Sequence, residues 1–257
     1  MESKHLTALI TGASSGLGAE FARQLSWIGY NPILVARRKE KLEELSEELK
    51  RVYGVSPEIL TADLSAYEGM EKVEDYIEKL GGLDMLVNNA GFGIPKKFQD
   101  VGLEKLQGMI NLHVIAPTRL CYRAIPKMRE KGAIINVASI APLVTKSNAA
   151  VYSPTKSYLI TFSKILQKDL GNKIKVQVLC PGFVHTSFHD TEAFKGYDVR
   201  IPKFLWRDKE YVVKKSLRAL GKNKVVCIPG IENKILVSLM NNKLISSILW
   251  GYYQKKD

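Results

Sequence analysis

Leu6-Thr7-Ala8-Leu9-Ile10-Thr11-Gly12-Ala13-Ser14-Ser15-Gly16-Leu17-Gly18 joins a short apolar run to a glycine-rich turn. The run Leu6–Ile10 suits a strand buried on both faces, and the spacing predicts a helix over about 16–29. Glycines at such a junction let the backbone approach a diphosphate, and the helix amino end favours its charge. The spacing Gly12, Gly16, Gly18 is not the commoner Gly-x-Gly-x-x-Gly, so its position after the first strand carries the weight. The alternation then repeats. Strands are expected over 31–36, 56–61, 85–87, 133–137, 175–179 and 225–228, and helices over 40–51, 67–80, 103–130 and 150–170, the third interrupted near Pro117. In the 40–51 helix, Leu42, Leu45 and Leu49 share one face. This pattern predicts a doubly wound α/β fold, a parallel sheet of about seven strands covered by helices. One domain is expected over 1–257, with a C-terminal helical extension within 203–257.

The 257 residues are 46% hydrophobic, enough for a full core. Cys121, Cys180 and Cys227 are odd in number and widely spaced, which argues for a reducing, cytoplasmic setting rather than disulfides or zinc. Met1–His5 runs straight into the first strand without a signal-peptide core, and no run of about 18 apolar residues exists. The net charge of +12 suits an anionic cofactor, a nucleic acid or a membrane surface, but the lysines are scattered over a solvated surface. No basic groove motif with interleaved aromatics is present, so no nucleic-acid partner is expected. His5, His113, His185 and His189 form no ligand cluster, and no metal is expected.

Tyr152 stands four residues before Lys156, so the two share one helix face. An ammonium there favours the phenolate and makes a phenol, ordinarily titrating near 10, usable as an acid or base. Hydride transfer to or from an alcohol or ketone needs such a group. Ser139 lies upstream of the pair. At the end of the second strand stand Ala36-Arg37-Arg38, where NAD sites usually place an acid for the ribose. Guanidinium groups there suit a 2′-phosphate, so NADP(H) is the expected cofactor.

Together these residues resemble the short-chain dehydrogenase/reductase family, over roughly residues 5–230. Thr11-Gly12-x-x-x-Gly16-x-Gly18 is similar to its cofactor motif, Asp63-Leu64 to its adenine-contacting pair, and Asn88-Asn89-Ala90-Gly91 to the motif after its fourth strand. Asn111, Ser139, Tyr152 and Lys156 match the catalytic tetrad in order and spacing, and Pro181-Gly182 with Thr186 resembles the segment beside the nicotinamide. The resemblance implies a Rossmann-type fold and hydride exchange between NADPH and a carbonyl. Ser139 would bond the carbonyl oxygen, Tyr152 would pass the proton, Lys156 would lower the tyrosine pKa and bind the ribose, and Asn111 would hold a water. Gly12, Ser14, Ser15, Gly16, Leu17, Gly18, Arg37, Arg38, Asp63, Leu64, Asn89, Ala90, Gly91, Pro181, Gly182, Val184 and Thr186, with Tyr152 and Lys156, would bind the cofactor. Two departures stand out. Residue 15, often basic in NADP-preferring members, is Ser15, and the Tyr–Lys motif encloses Ser153-Pro154-Thr155, which fits only if Pro154 lies in the helix's first turn.

The stretch 183–206 reads as a substrate lid rich in aromatics: Phe183, Phe188, Phe194, Tyr197, Phe204 and Trp206. Either the aromatics only pack the lid, or they face a bulky apolar substrate such as a steroid or long acyl chain, with Ser139, Phe183 and Phe188 touching it. Ala141, Pro142, Leu143 and Val144 would add an apolar wall. Residues 231–253 read as one or two amphipathic helices that pack on the core, join subunits of a homodimer or homotetramer, or lie on a membrane near Trp250, Tyr252 and Tyr253. A non-catalytic NADP-binding regulator or a nucleic-acid binder is the alternative function.

Overall fold

The computed structural model describes residues 6–143, 149–186 and 202–240. Strands β1 (Leu6–Thr11), β2 (Tyr30–Ala36), β3 (Glu58–Thr61), β4 (Leu83–Asn88), β5 (Met128–Val137) and β6 (Lys175–Leu179) alternate with helices α1 (Gly16–Trp27), α2 (Lys39–Tyr53), α3 (Tyr67–Lys79), α4 (Leu103–Ile110), α5 (Ala116–Ala124) and α6 (Tyr152–Leu170). The chain continues through β7 (Phe183–His185), β8 (Trp206–Asp208), α7 (Lys209–Gly221), β9 (Val226–Cys227) and α8 (Ile231–Met240). Seven strands form one sheet in the order β3-β2-β1-β4-β5-β6-β9, all neighbours parallel. This is the expected Rossmann-type doubly wound sheet.

The period-two alternation of the strands divides the core into two layers. Ala8, Ile10, Leu34, Met85, Val87 and Ile135 face one side, against Phe21 and Leu25 of α1, Leu42, Leu45 and Leu49 of α2, and Val213 of α7. Leu9, Ile33, Val35, Leu86 and Ile134 face the other, against Met70, Val73 and Ile77 of α3 and Leu120 and Ala124 of α5. Both faces are covered, which is why the strands read as continuous apolar runs. Because every pair is parallel, the carboxyl ends of β1, β2, β3, β4, β5 and β6 share one edge.

Two differences from the expected elements concern the helix over 103–130 and the C-terminal extension. The single helix expected over 103–130 is α4, a wide π-turn at Asn111–Ile115, and α5. Pro117 has no N–H for the carbonyl of His113, and its ring crowds that carbonyl in a regular helix. The wide turn, in which Ala116 N–H reaches Asn111 O, lies where this conflict arises. A second proline, Pro126, falls in a 3-10 turn at Ile125–Lys127, and the chain is already β5 from Met128. α6 begins at Tyr152, so Pro154 lies in its first turn. Residues from 203 onward are more than an appended helix, since β9 extends the sheet and α7 packs on the first layer.

Inside the sheet runs a polar ladder. Asn88 Nδ2 donates to Asn136 Oδ1 at 2.8 Å, Asn136 Nδ2 to Ser163 Oγ at 2.9 Å, and Ser163 Oγ to Leu159 O at 2.7 Å. Asn136 and Ser163 are fully buried, so the ladder ties α6 to β5 and β4 without help from water. Asn136→Ala leaves buried polar partners unmet and destabilises the fold by about 1–3 kcal/mol. Urea unfolding checks this, and a loss below about 0.5 kcal/mol would contradict the role given to the ladder.

Candidate active site

The glycine turn sits at the carboxyl end of β1. Gly12 and Gly16 have φ of +67° and +56°, the left-handed region that favours glycine. A Cβ on Gly18 would lie 2.2 Å from the carbonyl oxygen of Gly12, and one on Gly12 would lie 2.8 Å from Asn89 Nδ2. No side chain fits between the turn and the strand behind it. Asn89 Nδ2 holds the turn by donating to Thr11 O at 2.9 Å and Gly12 O at 3.3 Å. Thr11 Oγ1 accepts the N–H groups of Asn89 and Ala90 at 2.9 and 3.0 Å. The first turn of α1 carries no acid, so its amino end is open to an anion. Leu17 packs on the first core layer, and Thr186 lies 3.4 Å from where a Gly16 Cβ would be, facing the turn from beyond β6.

The two arginines after β2 divide their contacts. Arg38 Nη2 donates to Ser14 Oγ and Ser15 Oγ, each at 2.9 Å. Arg37 pairs with Asp63 at 3.7 Å, and both are well exposed. Burial alone would raise the Asp63 carboxyl, but bonds from Ser65 and the Arg37 charge hold it below its ordinary value. Leu64 is buried in the second core layer.

Ser139 is fixed from both sides, because Ala138 N–H bonds Leu179 O at 2.7 Å and Ile140 N–H bonds Pro181 O at 3.0 Å. Its hydroxyl accepts the N–H of Ala141 at 3.0 Å and hydrogen-bonds the Tyr152 phenol. Lys156, one turn along α6, is buried and donates to Val137 O at 2.9 Å. Its Nζ lies 5.9 Å from the centre of the Tyr152 ring. Asn111 Nδ2 donates to Ser65 O at 2.9 Å, while its buried Oδ1 has no partner. The structure thus gathers Ser139, Tyr152 and Lys156 around the ends of β5 and β6. Burial pushes Lys156 down to about 8 and Tyr152 up to about 12, the latter opposed by Ser139. Desolvation of the phenolate dominates, and the lowering that opposes it comes from Ser139 rather than from the expected partner Lys156.

Beside Tyr152 lies a small, mostly apolar hollow lined by Ile94, Lys96, Phe98, Val101, Leu106, Met109 and Val151. Ile94, Lys96, Phe98 and Val101 of this wall come from the β4–α4 connection, which the sequence did not single out because it shows no periodicity. On the other side, Phe183 and Trp206 meet at 5.7 Å, and His185 stacks on Trp206 at 4.9 Å, across the paired strands β7 and β8. Phe204 is exposed. Gly182 makes room for the buried Asn233 of α8. Val184 is buried, and Leu143 packs against the buried cluster that holds Ile140 and Leu159. Val144, Phe188, His189, Phe194, Tyr197, Trp250, Tyr252 and Tyr253 lie outside the described residues. A wider hollow at Leu6, Asp84, Arg129 and Glu130 lies at the amino ends of the strands, the wrong edge of a parallel sheet for a ligand site.

His113 was passed over in the sequence because it joins no metal-ligand spacing. The structure buries it completely behind Tyr152, with its ring edge-on to the phenol ring at 5.7 Å. Among the described residues no cluster of His, Cys, Asp or Glu is arranged to hold a metal, and no helix is long and apolar enough to cross a membrane.

A family model described as short chain dehydrogenase matches residues 6–195. The 11-beta-hydroxysteroid dehydrogenase-like 2 protein of Arabidopsis thaliana is 33% identical over 73% of this chain and 61% of its own length. The inactive hydroxysteroid dehydrogenase-like protein 1 of Homo sapiens is 34% identical over 70% of this chain and 56% of its own length. The chain therefore spans about six tenths of the length of these two curated relatives. Among solved structures, a short-chain dehydrogenase from Sphingobium yanoikuyae in complex with NADPH aligns with a TM-score of 0.81 at 29% identity, covering 88% of each chain.

Proposed function

This chain belongs to the short-chain dehydrogenase family, and from that membership we propose that it is an NADP(H)-dependent oxidoreductase interconverting a bulky apolar ketone and its alcohol. One observation carries the reading: the Ser139 hydroxyl meets the Tyr152 phenol beside a buried Lys156, at the sheet edge that also bears the glycine turn. The related protein called inactive keeps a non-catalytic reading in view, but a chain without chemistry has no need of a phenol, a hydroxyl and a desolvated ammonium held together.

The residues fit the cofactor. The turn leaves no space for a Cβ at Gly12 or Gly18, so a diphosphate meets bare backbone N–H groups. Arg38, Ser14 and Ser15 converge to offer a guanidinium and two hydroxyls to a 2′-phosphate. Arg37 and Asp63 flank the adenine end, and Asn89, Ala90, Gly91, Pro181, Gly182, Val184 and Thr186 bound the nicotinamide end. NADPH supplies the hydride when bound. Lys156 gives one of its three donors to Val137 O, which leaves two for the ribose hydroxyls. Ser139 holds the substrate oxygen as charge develops there, and Tyr152 Oη delivers its proton to that oxygen. Lys156 stabilises the phenolate that remains, and the unpartnered Asn111 Oδ1 holds a water on the route that restores the proton. The apolar side chains beside Tyr152 suit an apolar substrate, and the name of the plant relative favours a steroid-like one.

The outer face of α8 exposes Ile231, Ile235 and Leu239, spaced four apart, at 69%, 53% and 42%. An apolar stripe on a basic chain favours contact with an anionic membrane surface.

Tyr152→Phe lowers NADPH-dependent reduction of a panel of steroid and long-chain ketones at least about a hundredfold and leaves NADPH affinity within about twofold. Turnover near that of the wild type would refute the assignment. A phenol held near 12 stays protonated through the neutral range, and Lys156 loses its charge near 8. Reduction rates therefore fall on the alkaline side, whereas alcohol oxidation, which needs the phenolate, rises with pH; initial rates in both directions check the sign. Arg38→Ala weakens NADPH binding about tenfold or more and leaves NADH binding nearly unchanged. Equal losses for both would remove the phosphate role. Ile235→Glu reduces co-sedimentation with phosphatidylserine vesicles. Unchanged sedimentation sinks the membrane reading, and a change of oligomeric mass instead gives the stripe to a homodimer or homotetramer contact.

A further inference from the structure

His113 stands at the meeting point of three segments that carry the site. It lies in the π-turn ahead of α5, Phe92 follows the Asn89–Gly91 loop, and Thr155 is in the first turn of α6 between Tyr152 and Lys156. The Phe92 N–H donates to His113 Nε2 at 3.1 Å. His113 Nδ1 lies 3.0 Å from Thr155 Oγ1, and Thr155 Oγ1 donates to Tyr152 O at 2.8 Å. A hydroxyl has one proton. Thr155 spends it on Tyr152 O, so the bond to His113 is donated by Nδ1–H, and Nε2 is the acceptor. The imidazole is therefore the neutral Nδ1–H tautomer with both nitrogens satisfied. A proton on Nε2 would face the Phe92 N–H directly.

The surroundings enforce this state. Burial, with the Lys156 charge beside it, drives the imidazole well below its ordinary pKa. The titratable groups packed around it are Lys156 and Tyr152, whose ring meets the imidazole edge-on. Gly91 is pressed against the assembly, since a Cβ there would lie 2.9 Å from His113 Nε2 and 3.4 Å from Lys156 Nζ. The ring thus fills the space between the loop beneath the nicotinamide end and the back of the Tyr152–Lys156 turn.

We propose that His113 is a positioning residue for the reduction: through Thr155 Oγ1 on one side and the Phe92 N–H on the other, it sets where Tyr152 and Lys156 stand relative to the cofactor floor. It touches neither substrate nor cofactor. The inference rests on the proposed function, because it names what holds that function's acid in place.

Thr155→Val removes the hydroxyl that joins His113 to the catalytic turn, and Thr155→Ser keeps it. Thr155→Val lowers kcat for ketone reduction about tenfold or more, since displacement of a reacting group by a fraction of an ångström is costly. NADPH affinity, read by fluorescence titration, stays within about twofold, and Thr155→Ser restores kcat to within about twofold of wild type. His113→Ala lowers kcat similarly, and the double variant with Thr155→Val is no slower than the slower single one. The ultraviolet titration of the Tyr152 phenol, taken as the difference from Tyr152→Phe, shifts by about half a unit or more in Thr155→Val. A merely structural role would lower the folded, NADPH-binding fraction and leave that midpoint in place. Wild-type kcat in Thr155→Val, additive losses in the double variant, or an unmoved midpoint overturns the proposal. If His113→Ala does not fold, the Thr155→Val and Thr155→Ser pair decides alone. If the wild type reduces no ketone, the functional reading fails separately, and the phenol titration still decides whether His113 and Thr155 position Tyr152.

Discussion

The ammonium of Lys156 is buried, and it donates to the carbonyl of Val137, where β5 leaves the sheet. Taking a cation out of water is costly unless hydrogen bonds meet it, so this contact constrains where α6 can lie. Once α6 is set against the end of β5, Tyr152 follows one turn earlier on the same face, and Ser139 follows two residues beyond Val137. The Asn88–Asn136–Ser163 ladder repeats the same docking deeper in the core. His113 and Thr155 repeat it at the outer end of the helix. Three polar contacts at three depths leave α6 little freedom to slide along the sheet.

The same edge is electrically biased. Arg37, Arg38 and Lys156 stand there, the first turn of α1 carries no acid, and the glycine turn offers unshielded backbone donors. Asp63 is held ionised by Ser65 and Arg37, so it offsets part of that charge only at the far end. An anionic dinucleotide therefore meets favourable potential along this edge, from Arg37 and Arg38 to the buried lysine. The opposite edge of the sheet, with its hollow at Asp84 and Arg129, has no such arrangement. Because all seven strands run one way, the strand-to-helix loops all leave from one edge, the one where open parallel sheets bind their ligands.

The strand–turn–helix at residues 6–18 and the alternation after it were legible in the chain, because strands buried on both faces must be apolar runs and helices on a sheet must be amphipathic. Arg37 and Arg38 were legible as a pair, but that Arg38 meets Ser14 and Ser15 while Arg37 turns to Asp63 depends on how two loops face each other. The break in the 103–130 segment was signalled by Pro117, yet a proline does not say whether a helix kinks, ends or widens; the carbonyl of His113 and its packing decide that. The apolar hollow was hidden, since the β4–α4 connection has no period to read.

What the sequence determined by itself is therefore the sheet, its direction, and the order of Asn111, Ser139, Tyr152 and Lys156, all of which depend on local period and spacing. Only the tertiary structure decided the state of those groups. Burial sets Tyr152 near 12 and Lys156 near 8, and it turns His113 from an unremarked residue into a neutral bridge between Phe92 and Thr155. Desolvation and hydrogen-bond partners come from residues distant in the chain, and no local pattern of residues records which of them will meet.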